Sequence, residues 1–230
     1  MKRFYKKAAA AAQDGAFAVM LDGRPVRTPG KGYLHLPTQA LAEAIAVEWE
    51  AQQETIKPAT MPLTQLASTA LDRVAKQADA IAAEVARYAE TDLVCYHANG
   101  PASLVERQQA AWSPLLAWLE EQYGAKLAVT SGVQPILQPA AAITSVQEAV
   151  SGFGHFSLAG LSSATSATGS VVIGLALTVG RITGAQAADA AFIDEVHQME
   201  RWGSDSHEEA RLAQLRADLG AVERFLALLG

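Results

Sequence analysis

Cysteine is nearly absent from this chain: Cys95 is the only one among 230 residues. A disulfide framework is therefore excluded, and a reducing compartment fits. Positive charge is scarce too, with 18 Lys and Arg against 24 Asp and Glu and a net charge of -6. Such a balance repels a phosphate backbone unless a local basic stripe reverses it, and none occurs, so no nucleic acid is expected as a partner. Long apolar runs are missing as well. Residues 157–180 carry no charge and have the length of a bilayer span, but half are Ser, Thr or Gly, and the continuous apolar part, VVIGLAL, is too short to cross. A buried helix or helix pair is expected there, without membrane insertion. Lys2, Arg3, Lys6 and Lys7 make a basic start, yet only five small apolar residues separate them from Gln13 and Asp14, less than the core of an export signal. The glycines of GSVVIGLALTVG match neither the dinucleotide-binding spacing nor the ending of a nucleotide loop, so no cofactor is expected.

What is present divides the chain in two. The first 36 residues read as strands and turns, and Asp22-Gly23 between AVML and RPVR signals a hairpin, because Gly accepts the positive φ of a tight primed turn. Pro37-Thr38 then opens a helix with Leu41, Ile45 and Trp49 at four-residue spacing, and the unit ends near Thr55. Two prolines in KPATMPL interrupt the pattern, and beyond them only AKLAVTSGV, residues 125–133, suggests a strand. The expected fold is α+β: a small β-meander plus helix domain over residues 1–60, then a larger all-α helical domain over 61–230.

Helix starts in the second part are marked by four capping-box patterns, Ser103…Glu106, Ser145…Glu148, Thr183…Gln186 and Ser206…Glu209. Pro114 either kinks a helix or sits at the first position of a new one capped by Ser113. The C-terminal stretch carries Leu212, Leu215, Leu219, Val222, Leu226 and Leu229 at alternating three and four spacing, an apolar seam expected to meet the chain's own core.

Two segments hold candidate chemistry. ETDLVCYHA, residues 90–98, gathers Asp92, Cys95 and His97, but their spacing matches no zinc pattern and no base is marked for the thiol. Capping by Thr91 or Asp92, with Cys95 as a buried small hydrophobe, is expected, and neither a metal site nor a catalytic one. In AADAAFIDEVHQMERWG, residues 187–203, a continuous helix would align Ala188, Phe192, Val196 and Met199. Glu195 falls within that face, and Gln198 and Trp202 lie at its edge. A carboxylate in such a setting has three readings: an ion pair with an arginine such as Arg107, a catalytic acid of raised pKa, or a charge displayed for a partner protein. The tryptophans, Trp49 among them, serve as core or as interface anchors.

Several motifs in fixed order then carry a resemblance over nearly the whole chain: RFYK (3–6), LDGRPVRTP (21–29), Glu48-Trp49, TMPLTQLASTALD (60–72), ETDLVCY (90–96), Glu106-Arg107-Gln108 followed by Trp112, and Glu195…Gln198…Trp202-Gly203. Together they resemble the assembly chaperones of the F-type ATP synthase catalytic head that bind its unassembled alpha subunit. The resemblance implies a small N-terminal α+β domain followed by a helical one, no enzymatic activity, and the alpha subunit as partner. It implies location in the bacterial cytoplasm, the mitochondrial matrix being that of eukaryotic relatives. A monomer is expected when the protein is free. The partner surface is expected to draw on Glu195, Gln198, Trp202, Asp92, Arg107 and Trp49. After Trp202-Gly203 relatives often place a glutamate followed by aromatic or histidine residues; SDSHEEA stands here instead, so no role carries over to Asp205 or Glu208. The competing class is a small hydrolase using Glu195 or Asp92 as general acid or base, which would show as carboxylates converging on a cavity.

Overall fold

The structure, a computed structural model, describes residues 1–13, 15–132, 134–203 and 205–230. It is α+β and divides into two compact units: residues 1–78 with 154–160 and 224–230, and residues 79–153 with 161–223.

In the first unit three antiparallel strands, β1 (Ala8–Gln13), β2 (Ala16–Leu21) and β3 (Arg24–Pro25), lie in sequence order. The β2–β3 turn is the one read from Asp22-Gly23, with φ of 47° and 81° at the two residues. Helix α1 (Gln39–Glu50) starts at Thr38 as expected, the Thr38 Oγ1 accepting the Leu41 N–H at 3.2 Å. Its buried Glu48 then starts the next helix, α2 (Pro62–Asp72): one carboxylate accepts the N–H groups of Leu63 and Thr64 at 2.8 and 2.9 Å and the Thr64 hydroxyl at 2.6 Å. A negative charge at a helix N-terminus satisfies orphan donors and complements the dipole, which is why a buried charge is tolerated here. At the other end of α2, Asp72 accepts the Thr28 hydroxyl and the Gly30 N–H, both at 2.7 Å, locking the RTPG turn onto the helix. The core is Val19, Leu34, Leu36, Leu41, Ile45 and Leu63, closed by Phe225, which has no exposed surface, with Phe156 and Leu228 packed against it.

The second unit runs from α3 (Ala78–Ala86) through 3-10 turns at Arg87–Thr91 and Leu93–Cys95 to β4 (Tyr96–His97), which pairs in parallel with β5 (Thr130–Ser131). The strand expected over 125–133 is thus limited to two residues, and Val133 lies outside the described residues. Helix α4 (Ala102–Tyr123) continues through Pro114, so no second helix starts at Ser113. Helices α5 (Ala140–Ser151), α6 (His155–Thr168), α7 (Val171–Thr178), α8 (Gly184–Ala191), α9 (Ile193–Trp202) and α10 (Ser206–Ala227) follow. The charge-free stretch forms α6 and α7, and Val171 to Leu177 are all buried, which explains a helix apolar on every side. Among the described residues no helix is long and apolar enough to cross a membrane.

Of the four capping boxes, Thr183 with Gln186 forms, at the start of α8. Ser103 and Ser145 sit inside α4 and α5, whose first turns follow prolines, Pro101 and Pro139. Before α10 the capping oxygen belongs to Asp205, which accepts the Glu208 N–H at 2.8 Å, rather than to Ser206. Of the expected C-terminal seam, Leu212, Leu219 and Val222 are buried, and Leu215, Leu226 and Leu229 are half-buried.

Candidate partner-binding site

Two side chains on α4 hold the helices that follow, Gln108 reaching α9 and Trp112 reaching α8. Gln108, fully buried, accepts the Ala98 N–H at 2.7 Å and donates to Asp194 at 2.6 Å, while the Trp112 indole N–H donates to the Ala190 carbonyl at 2.7 Å. The Glu106-Arg107-Gln108…Trp112 motif thus reads as a clamp, with Gln108 and Trp112 turned inward. Arg107 faces outward and pairs with Glu200 at 2.7 Å.

The helical wheel drawn through residues 187–203 does not hold, because α8 ends at Ala191 and α9 starts at Ile193 across a break at Phe192. Once the phase resets, α9 buries Ile193 and His197, the latter with its Nε2 3.3 Å from the Ser103 hydroxyl. Glu195 is consequently not set in an apolar stripe. Its side chain keeps 36% of its exposure and lies 3.6 Å from Arg211, not from Arg107. Arg211 in turn is held by Glu208 at 2.6 Å, which keeps the Glu208 carboxyl below its ordinary range. Glu195, Gln198 and Trp202 do share a face, spaced by three and four residues along α9, and the face is open: Gln198 is exposed and Trp202 retains 74% of its surface. Gly203, at φ 84°, ends the helix directly after it.

Asp92 is elsewhere and does something else. It has no exposed surface, so the expectation that it contacts a partner is corrected: its oxygens accept the N–H groups of Val94 and Val172 at 3.2 Å each, capping the Leu93–Cys95 turn and the start of α7. Burial pushes its pKa up to about 6, against the pull of the Ser170 hydroxyl and the backbone donors. Cys95 is buried beside it, with its thiol pushed up to about 12 by burial and by the neighbouring carboxylate, the reverse of an activated nucleophile. Among the described residues no three His, Cys, Asp or Glu side chains gather as a metal site. Trp49 lies in the first unit, partly buried against Tyr5 with ring centroids 5.7 Å apart, and lines a groove with Met61 and Asp72.

The sequence reading missed a groove of about 680 Å³ walled by α4, α8 and α9. Arg181 and Arg216 line it together with Arg107, over a floor that includes Ala111, Leu115, Ile193 and Val196. Its residues come from segments more than a hundred positions apart, and no local spacing announces them. Neither Glu195 nor Asp92 lines it.

Exposed aromatic rings beside paired charges are common at the centre of protein contacts. Comparison with known proteins gives the family. The family model described as ATP12 chaperone protein matches residues 2–120. The crystal structure of Atp12 from Paracoccus denitrificans is 41% identical and superposes with a TM-score of 0.93, over all of this chain and 98% of the other. A protein of Agrobacterium tumefaciens, Atu1473, is 36% identical with the same TM-score, over all of this chain and 86% of that one. The mitochondrial protein atp12 of Schizosaccharomyces pombe is 25% identical over 221 residues, 90% of this chain and 76% of the relative. The chain belongs to the ATP12 chaperone family, chaperones of ATP synthase assembly.

Proposed function

We propose that this chain binds the unassembled alpha subunit of the ATP synthase catalytic head and holds it until beta is available. It acts by contact alone, making and breaking no covalent bond, in the bacterial cytoplasm and as a monomer when free. The observation that carries the reading is Trp202, a large ring left 74% exposed at the end of a clamped helix. A tryptophan costs little side-chain entropy to immobilise and supplies the apolar centre of a contact, with Glu195, Gln198 and Arg107 as charged and polar surroundings. An orphan subunit presents apolar surface with unpaired charges, and a chaperone that must release it needs moderate area and charge complementarity. Trp49, on the first unit, is a second contact in this reading.

The test is a pull-down with this chain from cells that express alpha and lack beta. Enrichment of free alpha is expected, and recovery of none, or of finished synthase only, rejects the reading. Turnover of a small substrate that disappears in a Glu195→Gln variant would support a hydrolase in its place.

A further inference from the structure

The groove walled by α4, α8 and α9 shares Arg107 with the contact just described, but Glu195, Gln198 and Trp202 do not line it. In a chain of net charge -6 it is a local reversal, with three arginines and one carboxylate, Asp189, over an apolar floor. Two of them are balanced, Arg107 by Glu200 and Arg216 by Asp189, at 2.7 and 2.6 Å. Arg181 is exposed and has no ion-pair partner among the described residues. A second feature points the same way. Pro114 lines the groove and has no N–H, so the carbonyl of Ala110, also in the lining, lacks its usual helical donor. The groove therefore offers an unpaired cation and an apolar floor, in a wall where one helical carbonyl lacks its usual donor.

We propose that this groove receives an acidic amphipathic segment of the client subunit. The inference rests on the reading above that the chain holds a client by contact, and it adds the chemistry of the recognised segment. A carboxylate of the segment meets the Arg181 guanidinium, whose planar fork suits two oxygens at once. Apolar side chains at helical spacing cover Ala111, Leu115, Ile193 and Val196. The unpaired Arg181 repels a basic segment, so the site discriminates by charge as well as by shape.

The probe is a fluorescein-labelled peptide of about 15 residues with Leu at helical spacing and Glu elsewhere, alongside a counterpart with Lys for Glu, each titrated onto the full chain by anisotropy. The acidic peptide should bind about tenfold or more tightly than the basic one, and should weaken as salt rises from about 50 to about 300 mM. Arg181→Glu, an exposed change, should weaken it about tenfold, and Ala111→Phe, which fills the floor, should do the same with the far-ultraviolet circular dichroism unchanged. Equal binding of the two peptides, or binding indifferent to both variants, overturns the proposal. So does self-association of the chain that sedimentation shows to be lost in Arg181→Glu, which would put a second copy in the groove. If full-length alpha is still captured while the acidic peptide does not bind, the groove proposal fails and the client reading stands. Selective peptide binding without any capture of alpha leaves the groove and rejects that client.

Discussion

At the scale of single residues, the carboxylates of this protein are spent on backbone N–H groups. Glu48 starts α2, Asp92 starts α7, and Asp205 starts α10. Asp92 is the one with a titration to follow. Its pKa is about 6 in the folded chain against an ordinary 3.8, so the folded state takes up the proton first as pH falls. The resulting stabilisation is complete below the unfolded value and is lost as pH rises through the folded one. An Asp92→Asn variant cannot titrate, and it sets an amide NH2 against backbone donors. Its unfolding free energy in urea should be lower by about 1–3 kcal/mol at pH 7, and the gap to the parent should widen as pH is taken down to about 4.5. A gap that narrows instead would mean that Asp92 is ionised throughout. The sequence showed that Asp92 was a capping candidate because the residue type and the short segment after it suffice. That it was fully buried, and so removed from any partner, depends on α7 returning to cover it, which no local pattern encodes.

Among elements, the ones with local signals were legible. The Asp22-Gly23 turn, the Thr38 cap and the Thr183…Gln186 box each formed where residue type and spacing demanded. Ser103 and Ser145 have the same spacing but lie inside helices, because the prolines ahead of them define earlier starts. The α9 face was half legible: the shared side of Glu195, Gln198 and Trp202 follows from spacing alone, but the break at Phe192 resets the phase and takes Glu195 out of the apolar stripe. The start of α8 gives a test of packing. A Cβ on Gly184 would stand 2.7 Å from the Leu219 carbonyl oxygen, and backbone cannot yield as a side chain can. Gly184→Ala should therefore lower stability by about 1–3 kcal/mol, seen as a thermal midpoint about 3–8 °C lower. Gly220, one residue further along α10, has nothing within 4 Å of its added Cβ. Gly220→Ala should be neutral or raise stability by up to about 1 kcal/mol through helix propensity, and calorimetry on the pair separates close approach from propensity.

On the scale of the whole molecule, the contact proposed above and the fold rest on different residues. Trp202→Ala removes an exposed ring, so its melting temperature should stay within about 1–2 °C of the parent while capture of the client in the pull-down falls several-fold. Equal loss of melting temperature and capture would assign Trp202 to the fold. The sequence suggested the α+β order of elements, since strand and helix periodicities differ, but not the groove, and not the way in which distant segments join the first unit. That joining has a consequence for how the protein is made. Phe225 is a fully buried member of the hydrophobic cluster otherwise built by residues 1–78, and Phe156 and Leu228 pack against that cluster. A ribosome delivers the chain from its amino end, so the N-terminal sheet and helices emerge with a hole where an aromatic ring belongs. They must wait through the synthesis of some hundred and fifty further residues before that ring arrives. For that interval the nascent assembly chaperone is itself an incomplete body exposing apolar surface.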